Sequence, residues 1–172
     1  IVQSLVGSEM CIRDRDISDV AINTAQIHAE KTNCDVTYIH GEAEDLLPEN
    51  KETFDVVTCL EAIEHVPDPQ QLVKTCSDLC KPGGTIVFST INRNPKSFLF
   101  AIIGAEYILN LLPKGTHEFK KFIKPSELSN MMRNSNLEVK EIIGMSYNPL
   151  TKKYWLGKDV DVNYMIHAEK YK

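Results

Sequence analysis

The sequence predicts an α/β fold built on a mostly parallel sheet with one reversed strand. Three observations carry that expectation. Phe54-Asp55-Val56-Val57-Thr58-Cys59 is a short, β-branched apolar run of the kind a parallel sheet buries on both faces. It changes abruptly into the polar stretch Leu60-Glu61-Ala62-Ile63-Glu64-His65-Val66-Pro67-Asp68-Pro69, and open α/β sheets build their sites beyond the carboxyl ends of their strands. Helical and strand patterns then alternate until near the end of the chain, where two strands follow one another directly.

Composition bounds the answer. The chain has 172 residues, 42% hydrophobic and 25% charged, which suits one domain with a sizeable core. A net charge of −5 argues against a general nucleic-acid surface. The five cysteines, at 11, 34, 59, 76 and 80, are odd in number and never spaced C-x-x-C, so they read as reduced thiols in a cytosolic protein. No run reaches the ~18 apolar residues of a membrane span. The N-terminus has no basic region followed by an apolar run, so no signal peptide is expected.

Residues 1–15, IVQSLVGSEMCIRDR, show neither helical nor strand period and read as a segment foreign to the domain. Regularity starts at Asp16, the end of a strand, where Ser18 or Asp19 can cap a following helix. Val20, Ile22, Ala25, Ile27 and Ala29 make that helix imperfectly apolar to about Lys31. Val36, Tyr38 and Ile39 form a short strand, followed by the acidic loop His40-Gly41-Glu42-Ala43-Glu44-Asp45. After the central strand, Leu72, Val73, Cys76 and Leu79 recur at helical spacing, and Lys81-Pro82-Gly83-Gly84 ends the helix. Thr85–Thr90 is a second buried strand with the polar loop Asn92-Arg93-Asn94-Pro95 at its carboxyl end.

Phe98–Leu112 is almost wholly apolar and helical in length, and Lys114, Lys120, Lys121 and Lys124 follow it. It reads either as a buried helix under a lid or as an interfacial segment meeting anionic lipid. Pro125–Asn134 is a helix with a Leu128, Met131, Met132 stripe and Pro at an early position. Leu137–Ile143 is a strand ending at Gly144. Val160, Val162, Tyr164 and Ile166 alternate with polar residues, as in a half-exposed antiparallel strand.

The chemistry concentrates at Glu61, Glu64 and His65. On one helical turn their i, i+3, i+4 spacing places them on one face. Such a trio suits a divalent cation, or a base with its orienting acid. Acids at a helix start, favoured by the dipole, are the competing reading.

These words, in this order, resemble the S-adenosylmethionine-dependent class I methyltransferases, whose sheet is Rossmann-like. More narrowly they resemble the ubiquinone biosynthesis O-methyltransferases. The matching words are Glu64-His65-Val66-Pro67-Asp68-Pro69, Ser89-Thr90-Ile91-Asn92-Arg93-Asn94, Gly104-Ala105-Glu106-Tyr107-Ile108, Pro113-Lys114-Gly115-Thr116-His117, Lys121-Phe122-Ile123-Lys124-Pro125 and Asp161-Val162-Asn163-Tyr164-Met165. They run from about Asp16 to Lys170.

The resemblance implies that Asp16 binds the cofactor ribose, a carboxylate being able to accept from both hydroxyls of a diol. It implies that Ala43 and Glu44 lie against the adenine and that Leu60 also contacts S-adenosylmethionine. It places Glu61, Glu64 and His65 as ligands of Mg²⁺, with His65 and Glu64 as catalytic residues. The implied substrate is a polyprenylated hydroxyphenol or demethylubiquinol. The implied setting is the cytoplasmic side of the inner membrane, held peripherally through about Phe98–Lys124, near other quinone-biosynthesis enzymes. Another small-molecule C- or O-methyltransferase, or a non-catalytic membrane- or complex-binding remnant, are the alternatives.

One departure stands out. The family opens on a strand and an acid-x-G-x-G-x-G loop, and the glycines here, at 7, 41, 83, 84, 104, 115, 144 and 157, form no such pattern. The expectation is therefore an N-terminally truncated domain over 16–172, lacking the first strand and Gly-rich loop, with an apolar and basic insertion at about 96–124; the activity is expected of the parent protein, and the fragment itself is expected to be poorly stable, inactive and unable to bind S-adenosylmethionine. The absent strand belongs at the sheet's centre, so the strand at Val36–Ile39 should lose its link to that at Phe54–Cys59, leaving either an open groove there or residues 1–15 partly filling it.

Overall fold

Two sheets carry the architecture of this chain, seen in a computed structural model that describes residues 2–3, 12–32, 34–98, 119–148 and 151–172. The larger has six strands: β1 (Val2–Gln3), β4 (Phe54–Leu60), β5 (Cys80–Ile91), β6 (Leu137–Asn148), β7 (Lys153–Gly157) and β8 (Asn163–Lys170), in the order β1-β4-β5-β8-β6-β7. The smaller pairs β2 (Ile12–Asp16) with β3 (Val36–His40) in parallel, Asp16 opposite His40. β3 and β4 do not pair, as the sequence led one to expect, and β1 lies antiparallel against β4 at Thr58 and Cys59. β2 starts at Ile12, so a strand of the domain reaches four residues into the segment read as foreign.

β4 and β5 run parallel, and β8 is the expected reversed strand, antiparallel to both β5 and β6. The short strands β1 and β7 are reversed as well, which the sequence did not announce. β8 starts at Asn163, leaving Val160 and Val162 in the preceding loop.

The helices follow from pattern and capping. α1 (Asp19–Thr32) is capped by Ser18, whose Oγ accepts the Ala21 N–H at 3.2 Å; only Ile22 and Ala29 are buried. A one-turn helix α2 (Leu47–Asn50) follows β3. α3 (Pro69–Leu79) has Pro at its start and Asp68 as cap, accepting the Gln71 N–H at 3.1 Å. Its Leu72, Val73, Cys76 and Leu79 fall on one face and are buried against β4 and β5. After the one-turn helix α4 (Pro95–Ser97), α5 (Pro125–Arg133) buries Leu128 and Met132, with Met131 at the rim.

The core lies between these helices and the sheet, with Phe88, Ile86, Tyr164, Ile166 and Leu137 fully enclosed. Cys34, Cys59, Cys76 and Cys80 are free thiols. No described helix is long and apolar enough to cross a membrane. The apolar stretch beyond Phe98, residues 99–112, and most of the insertion at about 96–124 lie outside the described residues.

Candidate active site

Parallel pairing brings the carboxyl ends of β4 and β5 together, Leu60 opposite Ser89. β2 and β3 likewise end together at Asp16 and His40. All the expected site residues fall on these two strand ends.

Asp16 closes β2, and one carboxylate oxygen accepts the Ser18 N–H at 2.7 Å, starting α1. Its other oxygen takes no hydrogen bond among the described residues. The loop after β3 is drawn onto β2 by charge. Arg15 donates to Asp45 at 2.8 Å, and the same oxygen of Asp45 accepts the Glu42 N–H at 3.0 Å. Gly41 is required at the bend: its φ is +136°, and a Cβ there would lie 2.4 Å from the Arg15 guanidinium. Ala43 packs against the central core, and Glu44 accepts a hydrogen bond from Thr75 of α3 at 3.1 Å.

At the end of β4, Leu60 is half-buried and Glu61 leaves the strand in the left-handed region, with φ +51°. That conformation costs a non-glycine residue free energy, and its surroundings hold it there. The Glu61 N–H donates to both the carbonyl and the Oγ of Ser89, each at 3.1 Å. The Ser89 hydroxyl in turn donates to Glu61 Oε1 at 2.6 Å, and Asn163 donates to Oε2 at 3.1 Å. A 3₁₀ turn over Ile63–His65 follows. It rotates Glu64 inward, where Oε2 accepts the Thr90 hydroxyl at 2.8 Å and Oε1 is buried with no partner among the described residues. His65, at the end of the turn, is exposed.

This geometry corrects one expectation. Because Glu61 turns at positive φ and a 3₁₀ turn rather than an α-helix begins after it, the trio does not share a helical face. Among the described residues no three His, Cys, Asp or Glu side chains gather closely enough to hold an ion.

The structure also adds residues that spacing did not single out. Ser89, Thr90 and Asn163 hold the two carboxylates, and they stand at the end of β5 and the start of β8. Their signal was polarity at a strand terminus, visible but without an assigned partner. Tyr164 lies beside the same group. Its hydroxyl donates to the Ile123 carbonyl at 2.8 Å. Burial, with Glu127, Glu64 and Glu61 nearby, pushes its phenol far up, so it stays neutral. Arg93 ties this end of the sheet to Glu127 and the Phe122 carbonyl.

Comparison with known proteins gives a consistent picture. A family described as a methyltransferase domain matches residues 10–88. A ubiquinone biosynthesis O-methyltransferase of Pseudomonas syringae pv. tomato is 58% identical over 153 residues, 89% of this chain and 66% of the relative. The protein of that name from Nitrosospira multiformis is 53% identical over 164 residues, 95% of this chain and 69% of the relative. The chain thus spans about two thirds of the length of these relatives. Among solved structures, a SAM-dependent methyltransferase of Thermotoga maritima, described as a possible histamine N-methyltransferase, superposes with a TM-score of 0.64 at 24% identity, over 92% of this chain and 72% of its own. At that identity the likeness establishes the α/β methyltransferase fold.

Proposed function

The chain belongs to the ubiquinone biosynthesis O-methyltransferase family, and on that premise we propose that its strand ends serve S-adenosylmethionine-dependent O-methylation of a polyprenylated hydroxyphenol or demethylubiquinol. The observation that carries the reading is Glu64. It is a buried carboxylate, held by Thr90 on one oxygen and without a partner among the described residues on the other, one residue from an exposed imidazole just beyond the carboxyl end of β4. Buried carboxylates are normally satisfied, and an orphan oxygen at a strand end marks a place where a ligand group completes the set.

When bound, S-adenosylmethionine supplies an activated methyl group and a neutral leaving sulfide. Asp16 would offer a carboxylate oxygen to the ribose hydroxyls, Ala43 and Glu44 would lie along the adenine, and Leu60 would also contact the cofactor. The acceptor is a phenol, with a pKa near ~10, and reacts far better as the anion. His65 takes that proton on an imidazole nitrogen. Ser89 and Asn163 hold the Glu61 carboxylate and Thr90 that of Glu64, fixing the chain on either side of His65.

The acceptor's long tail gives a purpose to the apolar stretch from Phe98 and the lysines up to Lys124. They would hold the protein peripherally at the cytoplasmic face of the inner membrane, near other enzymes of quinone biosynthesis.

The test is methyl transfer to a polyprenyl catechol, run beside transfer to a quinone carbon. His65→Ala and Glu64→Gln should each lower O-methylation by at least ~10²-fold, the usual size of a lost proton-transfer contribution. Thr90→Val, which strips the donor from Glu64, should lower it less. Near-normal turnover in His65→Ala and Glu64→Gln would leave these groups a structural role alone, and preference for the carbon acceptor would replace the reaction.

A further inference from the structure

The sheet outgrows itself at the site end. β5 and β6 are both antiparallel to β8, so β6 runs parallel to β4 and β5 and ends beside them. Ile91 pairs with Asn163, and Asn163 with Met145; beyond that row β5 and β8 stop. β6 and β7 continue alone as a two-stranded ribbon, with Ser146 opposite Trp155, Tyr147 opposite Tyr154 and Asn148 opposite Lys153.

Strand alternation puts Met145, Tyr147, Tyr154 and Leu156 on one face of this ribbon. The Tyr147 and Tyr154 rings stack, with centroids 4.4 Å apart. Tyr154 is 68% exposed, Leu156 58% and Trp155, on the other face, 52%. Charge is one-sided too. Residues 144–158 contain Lys152, Lys153 and Lys158 and no Asp or Glu, in a chain of net charge −5.

The base of the ribbon is fixed. A Cβ on Gly144 would lie 1.7 Å from the Asp159 carbonyl oxygen, so the chain leaving β7 crosses directly over Gly144. Lys96 then grips Asp159 at 2.9 Å and Asp161 at 3.0 Å. That clamp ties the ribbon to α4, immediately before the apolar run that begins at Phe98.

We propose that the β6–β7 ribbon is a membrane-interface contact that seats on a bilayer carrying anionic head groups. Tyr and Trp rings favour the boundary between head groups and acyl chains, and lysines add attraction to an anionic surface. A second copy of the chain fits less well, because an isologous contact along β7 would bring lysines against lysines. The ribbon stands at the end of the sheet where the acceptor would enter. The proposal leans on the methyl-transfer reading only for this purpose, since lipid binding is measured without turnover.

Trp155 is the chain's single tryptophan and reports on the ribbon directly. The full chain is mixed with phosphatidylcholine vesicles, with and without phosphatidylglycerol. The expected result is a blue shift of Trp155 emission and quenching by brominated lipid, only with the anionic lipid and reversed by salt. Lys152→Glu with Lys153→Glu should weaken vesicle affinity roughly tenfold or more. Tyr154→Ser with Leu156→Ser, both exposed, should weaken it even where the lysines remain. Methylation of a soluble short-chain catechol should be unchanged in both. Vesicle binding with unaltered Trp155 emission would place the contact elsewhere and overturn the proposal. So would a shift that follows protein concentration rather than lipid, which would make the ribbon a self-association surface. A Trp155 response in a chain that methylates nothing would uphold this contact and remove the enzymatic reading instead.

Discussion

Cys80 ends α3 and opens β5 with no exposed surface, and burial raises its thiol from 9.0 to about 11, with Asp55 adding to the rise and Lys170 opposing it. The consequence is a pH dependence of stability. Below pH 9 the folded and unfolded chains both carry the neutral thiol, so its contribution is fully present. Between pH 9 and 11 the unfolded chain ionises first, and that contribution is lost. The displacement amounts to roughly 2–3 kcal/mol at ~1.4 kcal/mol per unit. Tyr164 acts in the same direction above its ordinary value of 10.0. Denaturant unfolding at several pH values should therefore show wild-type stability falling from pH 9, with a visibly shallower fall in Cys80→Ala. Equal slopes would mean that the buried thiol is not what titrates. Single-residue environments of this kind were not legible in the sequence. Glu61, Glu64 and His65 stood out as a cluster, but which carboxylate is buried depends on Ser89, Thr90 and Asn163, between 26 and 102 residues away. Spacing along the chain carries no information about such partners.

α3 was legible from its apolar face at helical spacing; its cap at Asp68 and Pro69 at its first position were not read as such, and Lys81-Pro82-Gly83-Gly84, expected to end the helix, lies inside β5. β4, β5, α5 and β8 were legible for the same reason, each being periodic and buried on a recognisable face. The β6–β7 ribbon was not. Its strands show apolar and aromatic residues without a buried side, so neither period emerges, and pairing between Tyr147 and Tyr154 is set by the turn between them. Two substitutions separate these cases. Asp68→Ala removes one hydrogen bond from an exposed cap and should cost about 1 kcal/mol, read as a lower urea midpoint with an unchanged slope. Gly144→Ala sets a methyl group 1.7 Å from the backbone carbonyl of Asp159, which no side-chain rotation relieves. It should cost more than the cap does, in the ~1–3 kcal/mol range or above for overpacking, and should displace the ribbon. A Gly144→Ala protein as stable as wild type would show that the crossing at Asp159 is loose.

Across the whole molecule, stability is unevenly distributed. β5 and β8 lie at the middle of the six-stranded sheet, and Ile86, Phe88, Tyr164, Ile166 and Ala168 on them are fully enclosed. The β2–α1–β3 unit has none of this. Its sheet has two strands, Ile22 and Ala29 are the buried positions of α1, and Val20 and Ile27 face solvent. Side chains, rather than a strand ladder, join it to the rest: Arg13 bonds Asn50 and lies over the Phe54 ring, and Arg15 pairs with Asp45. A two-stranded sheet is marginal by itself, and exposed ion pairs contribute little. The unit should therefore open at lower free energy than the large sheet. Hydrogen exchange by mass spectrometry should show Ile12–Asp16 and Val36–His40 exchanging well before Thr85–Ile91 and Asn163–Lys170, and Arg15→Ala should widen the difference. Because Asp16 sits on the weaker unit and Leu60 on the stronger, ligand binding that bridges the two strand ends should protect β2 and β3 preferentially. Uniform protection across both sheets, with and without S-adenosylmethionine, would show that the two units open as one.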